Sequence, residues 1–241
     1  MTHGCGPWTG AVLLLVASAI QAQEPPNALK AVVDVGLINV AGNTQITTFN
    51  VGEQIAYTAG RWVVAQAFAV VYGRTGGVTT ASQWKGGVRG DRKSGEQLSV
   101  YVSGGFERNT FAGIDRRFDE AAGVAALLVQ TDRDELALEA GGSLNQQRST
   151  AGVSADFVAA RGAARFRHGF GERAFFQQAM EILPNLDQTD DLRLNSESQL
   201  VAPLSTRIGL KLSYVIRFDN LPEPGFQETD RILTAGVQIV L

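Results

Sequence analysis

Few side chains in this sequence have the types and spacing that chemistry requires. Beyond residue 22 there is one histidine, His168, and no cysteine, because the only cysteine is Cys5. A serine–histidine hydrolase needs its imidazole within about 3 Å of a hydroxyl. His168 sits beside the tight stretch "GFGE", next to Arg167, Gly169 and Phe170, and the sequence supplies no partner for it. It reads as an interfacial residue at a strand end. The acidic run "DQTDD" at 187–191 has spacing that could hold a cation, but it lacks the glycine and distal glutamate of a calcium loop. It reads as a solvated loop. The glycines of "AGNT" and "GGVRGD" precede no helical pattern, so they mark turns and crowded sheet positions and not a phosphate cradle. The "RGD" at 89–91 falls inside an alternating segment, with Arg89 and Asp91 on one parity, which argues against an adhesion motif. No catalytic, metal-binding or cofactor-binding residue is expected.

What the sequence does have is charge on one parity. From Arg207 onward, Ile208, Leu210, Leu212, Tyr214, Ile216 and Phe218 are all apolar, while Arg207, Gly209, Lys211, Ser213, Val215 and Arg217 alternate with them. A helical stripe through Ile208, Leu212 and Val215 would include Lys211, so period two wins. The same alternation recurs from Ala31 to the C-terminus. It predicts strands near 31–41, 46–58, 61–73, 80–92, 96–108, 115–130, 134–147, 154–168, 173–184, 190–202, 205–219 and 229–241. The charges on the polar parity are Lys85, Arg89, Asp91, Glu107, Glu135, Glu139, Arg161, Arg165, Arg167, Glu181, Arg193, Glu197, Arg207, Lys211 and Arg217.

About twelve strands make a wide barrel. A soluble version would put the aliphatics inside, and an interior wider than that of an eight-stranded barrel would need a large apolar ligand. A soluble two-sheet sandwich avoids that void and is the competing reading. With lipid outside, the aliphatics are satisfied and the charges face water and one another. A register slip of one residue would put Arg207, Lys211 and Arg217 into lipid, at about 2–4 kcal/mol each near the midplane. The expected fold is therefore an all-β, transmembrane, antiparallel up-and-down barrel. Its lipid-parity aromatics, Trp62, Tyr72, Trp84, Phe106, Phe118 and Phe218, fall near strand ends, where interfacial girdles sit.

The bulk numbers agree. The chain has 241 residues, 21 basic and 24 acidic, and a net charge of −3, which offers no basic excess for nucleic acid. No apolar run reaches the ~18 residues of a spanning helix. Residues 1–22, with the apolar core "AVLLLVASAI", read as a secretory signal, 23–30 as a short periplasmic tail, and 31–241 as the barrel domain. The breaks alternate in character. "TAGR", "RKSGE", "TDRDE", "GFGE" and "APLST" are tight, whereas "RTGGVTT", "RNTFAGID", "QRSTAGV", "PNLDQTD" and "DNLPEPGFQE" are longer. Short periplasmic turns, longer external loops and an even strand count are the pattern of outer-membrane barrels. Phe111 and Phe226 lie in the external set and are expected to fold back onto the rim.

Four stretches carry a resemblance: "AGNT" at 41–44, "WKGGVRGDR" at 84–92, "FERNTFAGIDRRF" at 106–118 and "RFDNLPEPGFQETD" at 217–230. In content and order they resemble a domain family of unknown function, the salt-induced outer-membrane proteins. The chain departs from that pattern by ending in Leu241 instead of an aromatic residue, and by reading "DEAAGVAALLV" at 119–129. The resemblance implies an outer-membrane location and supplies no catalytic site. The expected role is non-enzymatic, structural or in envelope stress. A narrow, weakly anion-selective channel is the alternative, and a lipid-modifying enzyme ranks behind both. Expected partners are outer-membrane lipid, the barrel-assembly machinery during biogenesis and, for a channel, a small solute.

Overall fold

The computed structural model describes residues 27–40, 46–171 and 173–241. The proposed signal segment and the first external loop lie outside the described residues. Twelve strands run in chain order: β1 (Asn27–Val40), β2 (Ile46–Ala59), β3 (Trp62–Thr75), β4 (Val78–Lys93), β5 (Leu98–Asn109), β6 (Ile114–Gln130), β7 (Asp134–Ser149), β8 (Ser154–Gly169), β9 (Phe175–Pro184), β10 (Leu192–Pro203), β11 (Ile208–Asp219) and β12 (Thr229–Val240). Each pairs antiparallel with its sequence neighbours, and β1 pairs with β12 to close the barrel. The seam is short, pairing Val32–Val35 with Val237–Val240, and it closes the ring, which is what a sheet needs if it is to sit in hydrocarbon. No helix among the described residues is long and apolar enough to cross a membrane.

Alternation decides the two faces. In β3, Val63, Ala65, Ala67, Ala69 and Val71 are buried inside, and Trp62, Val64, Phe68 and Tyr72 are exposed outside. In β11, Ile208, Leu210, Leu212 and Tyr214 point out, while Ser213 and Val215 are buried. The outward face is dominated by large apolar side chains, a pattern that only lipid can satisfy.

Three expectations are corrected. β1 begins at Asn27, so residues 27–30 belong to the barrel and not to a tail. The "RTGGVTT" break is a two-residue hairpin at Gly76 and Gly77, with φ of 57° and 82°. Positive φ at both central positions suits strand twist, and glycine adopts it freely, so the ladder runs further than alternation suggested. Arg207 does not face the lumen. It is exposed in the turn between β10 and β11, because β11 starts only at Ile208.

The long connections are therefore fewer than expected. Residues 185–191 and 220–228 dominate one rim, hereafter the loop end, while the β5–β6 connection is a short 3-10 turn at Thr110–Ala112. The other rim, the turn end, carries the connections at 60–61, 94–97, 131–133, 170–174 and 204–207.

Candidate functional site: an ion-paired lumen

At mid-height, a row of residues crosses four strands: Tyr101 on β5, Gly123 on β6, Gly141 on β7 and Arg161 on β8. The two glycines face inward, and the Tyr101 ring lies across them. A Cβ at Gly123 would sit 2.8 Å from Tyr101 Oη and 2.3 Å from Ala140 O, and one at Gly141 would meet Tyr101 Oη and Ala122 O at the same two distances. Only glycine leaves room for the phenol, which thereby receives a 2.7 Å hydrogen bond from Arg161 Nη1. Tyr101 is 2% exposed, with the Arg89 guanidinium 4.0 Å from its ring centroid.

Around this platform the charges form a chain. Arg89 donates to both oxygens of Asp91 at 2.9 Å and to Glu139 Oε2 at 2.9 Å. Arg161 donates to Glu139 Oε2 and to Glu181 Oε1, each at 2.7 Å, and Asn195 donates to the other oxygen of Glu181 at 3.0 Å. The chain thus links β4, β7, β8, β9 and β10. Two cavities meet at Arg161, which lines both. One, of about 190 Å³, lies toward the loop end, and the other, of about 380 Å³, toward the turn end.

The loop-end chamber contains a second knot. Glu107, buried on β5, accepts from Arg217 Nη1 at 2.7 Å, from Gln83 at 2.9 Å and from Arg117 at 3.5 Å. Arg117 also donates to Gln147, and Gln147 donates to Glu223 in the 220–228 loop at 2.8 Å. That loop folds over the mouth, and Leu221, Pro222 and Phe226 line the chamber with Phe111. Gly113, at φ 75°, lets the β5–β6 turn pass beneath it, where a Cβ would come within 2.7 Å of the Phe226 ring.

The turn-end chamber is asymmetric. Its wall on β3 is small and apolar at Ala65 and Ala67, whereas on β8 Arg165 and Arg167 project, with Arg165 between Ala137 of β7 and Ala179 of β9, and Lys211 enters from β11. Arg165 bonds Glu135 at 3.1 Å, Lys211 bonds Asp34 at 2.6 Å, and Arg167 stacks 3.8 Å over Phe175. Glu197 is buried and accepts from Ser213 and Gln199.

Fourteen of the fifteen charges read from the sequence thus face the interior, Lys85 and Arg193 at the loop-end chamber among them, with Arg207 the exception. Sequence parity overlooked Asp34, Tyr101, Arg117 and Asp119, all inward-facing. Arg117 and Asp119 were legible, because they share the parity of Ala125 and Leu127, which are buried on β6; Tyr101 was not, because a lumenal tyrosine looks like a girdle tyrosine. Of the aromatics assigned to interfacial girdles, Trp84 stands mid-strand, and Phe106 and Phe118 pack together at 5.2 Å. His168 has a partner that sequence distance hid: Nδ1 lies 2.6 Å from Asp134 Oδ1 on the adjacent strand, with Phe170 edge-on. No serine is part of this pair. Among the described residues no group of three or more His, Cys, Asp or Glu side chains could hold a metal ion.

A closed antiparallel ring with apolar side chains outside and ion pairs inside defines a transmembrane up-and-down β-barrel. Residues 33–239 match the family described as protein of unknown function, DUF481, and the chain belongs to that family. No curated protein matches it. Among solved structures it is similar to the translocator domain of the autotransporter NalP from Neisseria meningitidis, with 11% identity over 93% of this chain and 91% of that one, TM-score 0.48. It is also similar to the NanC porin, with 9% identity over 88% and 98%, TM-score 0.49. The anion-selective porin from Comamonas acidovorans has 9% identity over 89% and 99%, TM-score 0.43. At such scores these likenesses say nothing about function.

Proposed function

We propose that this protein is a bacterial outer-membrane barrel, closed at rest, with a non-enzymatic structural role in the envelope under stress such as raised salt. One observation carries the closed state: the Glu107–Arg217 pair joins strands on opposite sides of the ring, so side chains span the bore at that level. The Arg89–Glu139–Arg161–Glu181 chain adds a second barrier at mid-height. Long charged side chains held by two or three partners each stay in place, because leaving one partner unpaired away from bulk water costs several kcal/mol. The outward apolar belt supports the lipid environment, with the assembly machinery as the partner during insertion and the loop end facing outside. The salt-response element rests on the family resemblance. The non-enzymatic element is supported by His168, the only histidine among the described residues, which is held by Asp134 with no hydroxyl in the pair.

Planar-bilayer recording of the refolded protein tests this. The expected record is near silence at moderate voltage, and a large, stable, unselective conductance would overturn it. A second reading, the narrow and weakly anion-selective channel, is favoured by one feature. The two chambers are separated by side chains and not by backbone, and the turn-end chamber is lined by Lys30, Arg161, Arg165, Arg167 and Lys211 against Glu135, Glu139 and Glu197. Small anion-preferring currents that lose preference in Arg161→Ala would put that reading first.

A further inference from the structure

One arginine in the loop-end chamber has no hydrogen-bonded carboxylate. Arg193, on β10, is 7% exposed, and its Nε and Nη2 are buried with no hydrogen-bond acceptor. It stacks on the face of Phe157, whose centroid lies 4.4 Å from the guanidinium carbon, while Asp219, Asp191 and Glu107 attract it through space without a hydrogen bond. Register explains what should have paired with it. Asp219 stands directly opposite on β11, and Asp191 is two residues back along the chain. Neither hydrogen-bonds it, and each holds a loop instead. Asp219 Oδ1 accepts from Leu221 N at 3.0 Å, fixing the start of the 220–228 loop, and Asp191 Oδ2 accepts from Asn185 Nδ2 at 2.7 Å, closing the 185–191 loop. The other carboxylates with a claim on the chamber's arginines are also engaged: Glu107 by Arg217, and Glu181 by Arg161.

A buried guanidinium with unused donors has lost its hydration and gained no charge-assisted bond in return. The chamber it lines supplies the rest of a binding site. It has about 190 Å³ of space and an apolar cover formed by Phe111, Leu221, Pro222 and Phe226. We propose that the loop-end chamber binds a small monocarboxylate with a compact apolar body, its carboxylate on Arg193 and its body beneath the 220–228 loop. A planar carboxylate matches the guanidinium fork. The chamber also holds Asp119, Glu228 and Asp230. The Arg193 guanidinium and Lys85 are thus set among carboxylates, an arrangement that suits one small anion on the guanidinium and disfavours polyanions. The site depends on the enclosed chamber and not on whether the lumen conducts.

The test is titration calorimetry of the full barrel, refolded in detergent, with benzoate as the probe and benzyl alcohol as its neutral counterpart, each against a micelle blank. Saturable benzoate binding is expected, with no saturable binding of the alcohol. Arg193→Gln, shown to be folded by heat-modifiable migration, should weaken benzoate about ten- to a hundredfold, the loss expected for one charge-assisted contact. Arg207→Gln, in the exposed turn at the other rim, should leave binding unchanged. Absence of benzoate binding by the folded wild type would overturn the site, as would equal binding by folded Arg193→Gln or equal saturable binding of the alcohol. Bilayer conductance is read separately, so an open lumen would defeat the closed-barrel reading without touching this result.

Discussion

Arg217 Nη1 lies 2.7 Å from Glu107 Oε1, although β11 and β5 stand six places apart in a ring of twelve. Two side chains therefore meet across the lumen. Arg117 and Gln83 converge on the same carboxylate, and through Gln147 the network reaches Glu223 of the loop over the mouth. The ion pair across the bore and the placement of the loop are thus parts of one hydrogen-bonded unit.

Breaking that unit should open the lumen. Glu107→Ala leaves Arg217 and Arg117 without their shared carboxylate, and a destabilisation of about 3–5 kcal/mol is expected in urea unfolding. Conductance in bilayers should rise in the same variant. The double variant Glu107→Ala/Arg217→Ala should lose less than the sum of its parts, since the two single variants break the same ion pair. Additive losses would mean that the two residues do not couple.

The glycine pair under Tyr101 makes a sharper steric prediction. Gly141→Ala places a Cβ 2.3 Å from Ala122 O, so the β6–β7 ladder must shift, and folding yield should fall strongly. Gly104→Ala, whose Cβ would meet nothing within 4 Å, should fold normally. Heat-modifiable migration on gels reads both outcomes, and equal yields would contradict the close packing at mid-height.

Closure of the ring depends on the last residues. The register between β1 and β12 runs Val32↔Val240, Val33↔Ile239, Asp34↔Gln238 and Val35↔Val237. Deleting Val237–Leu241 removes every one of these pairs and leaves sheet edges in hydrocarbon. Assembly should be abolished, whereas Leu241→Phe should be neutral or helpful. A truncated chain that still resisted detergent unfolding would count against the barrel's closure at this seam.

Orientation is tested by labelling intact cells. Tags within 185–190, or at the exposed Pro224 and Gly225 of the long loop, should be reachable from outside, and tags within 94–97 or 170–174 should not. Labelling at the tight turns would invert the topology.

Much of the fold was legible because strand side chains alternate with a period of two, and one face must be apolar. Strand number, antiparallel order and the inward parity of Arg89, Glu139, Arg161 and Arg217 follow from that local rule. Its failures are local too. Arg207 kept the parity of β11 but lies in the turn before it, and "RTGGVTT" read as a loop because alternation cannot recognise two glycines at positive φ. Pairs between adjacent strands, such as Glu135 with Arg165, were also within reach, since hairpin order sets which residues are neighbours.

Contacts between non-neighbouring strands were not within reach. Parity places Glu107 and Arg217 inside, but it says nothing about their height or about the width of the bore between them. Both depend on strand tilt, stagger and closure of the whole ring. The same holds for Tyr101, which looks like any strand tyrosine until Gly123 and Gly141 are brought beneath it. It holds most clearly for Arg193. Register alone would pair it with Asp219, and only the folded loop shows that carboxylate turned to Leu221, leaving the guanidinium without a protein acceptor. Sequence determined which faces meet lipid and lumen, because that choice repeats residue by residue along each strand. The tertiary structure decided which charges meet, because a carboxylate's partner is set by competition among every donor the closed ring and its loops bring within reach.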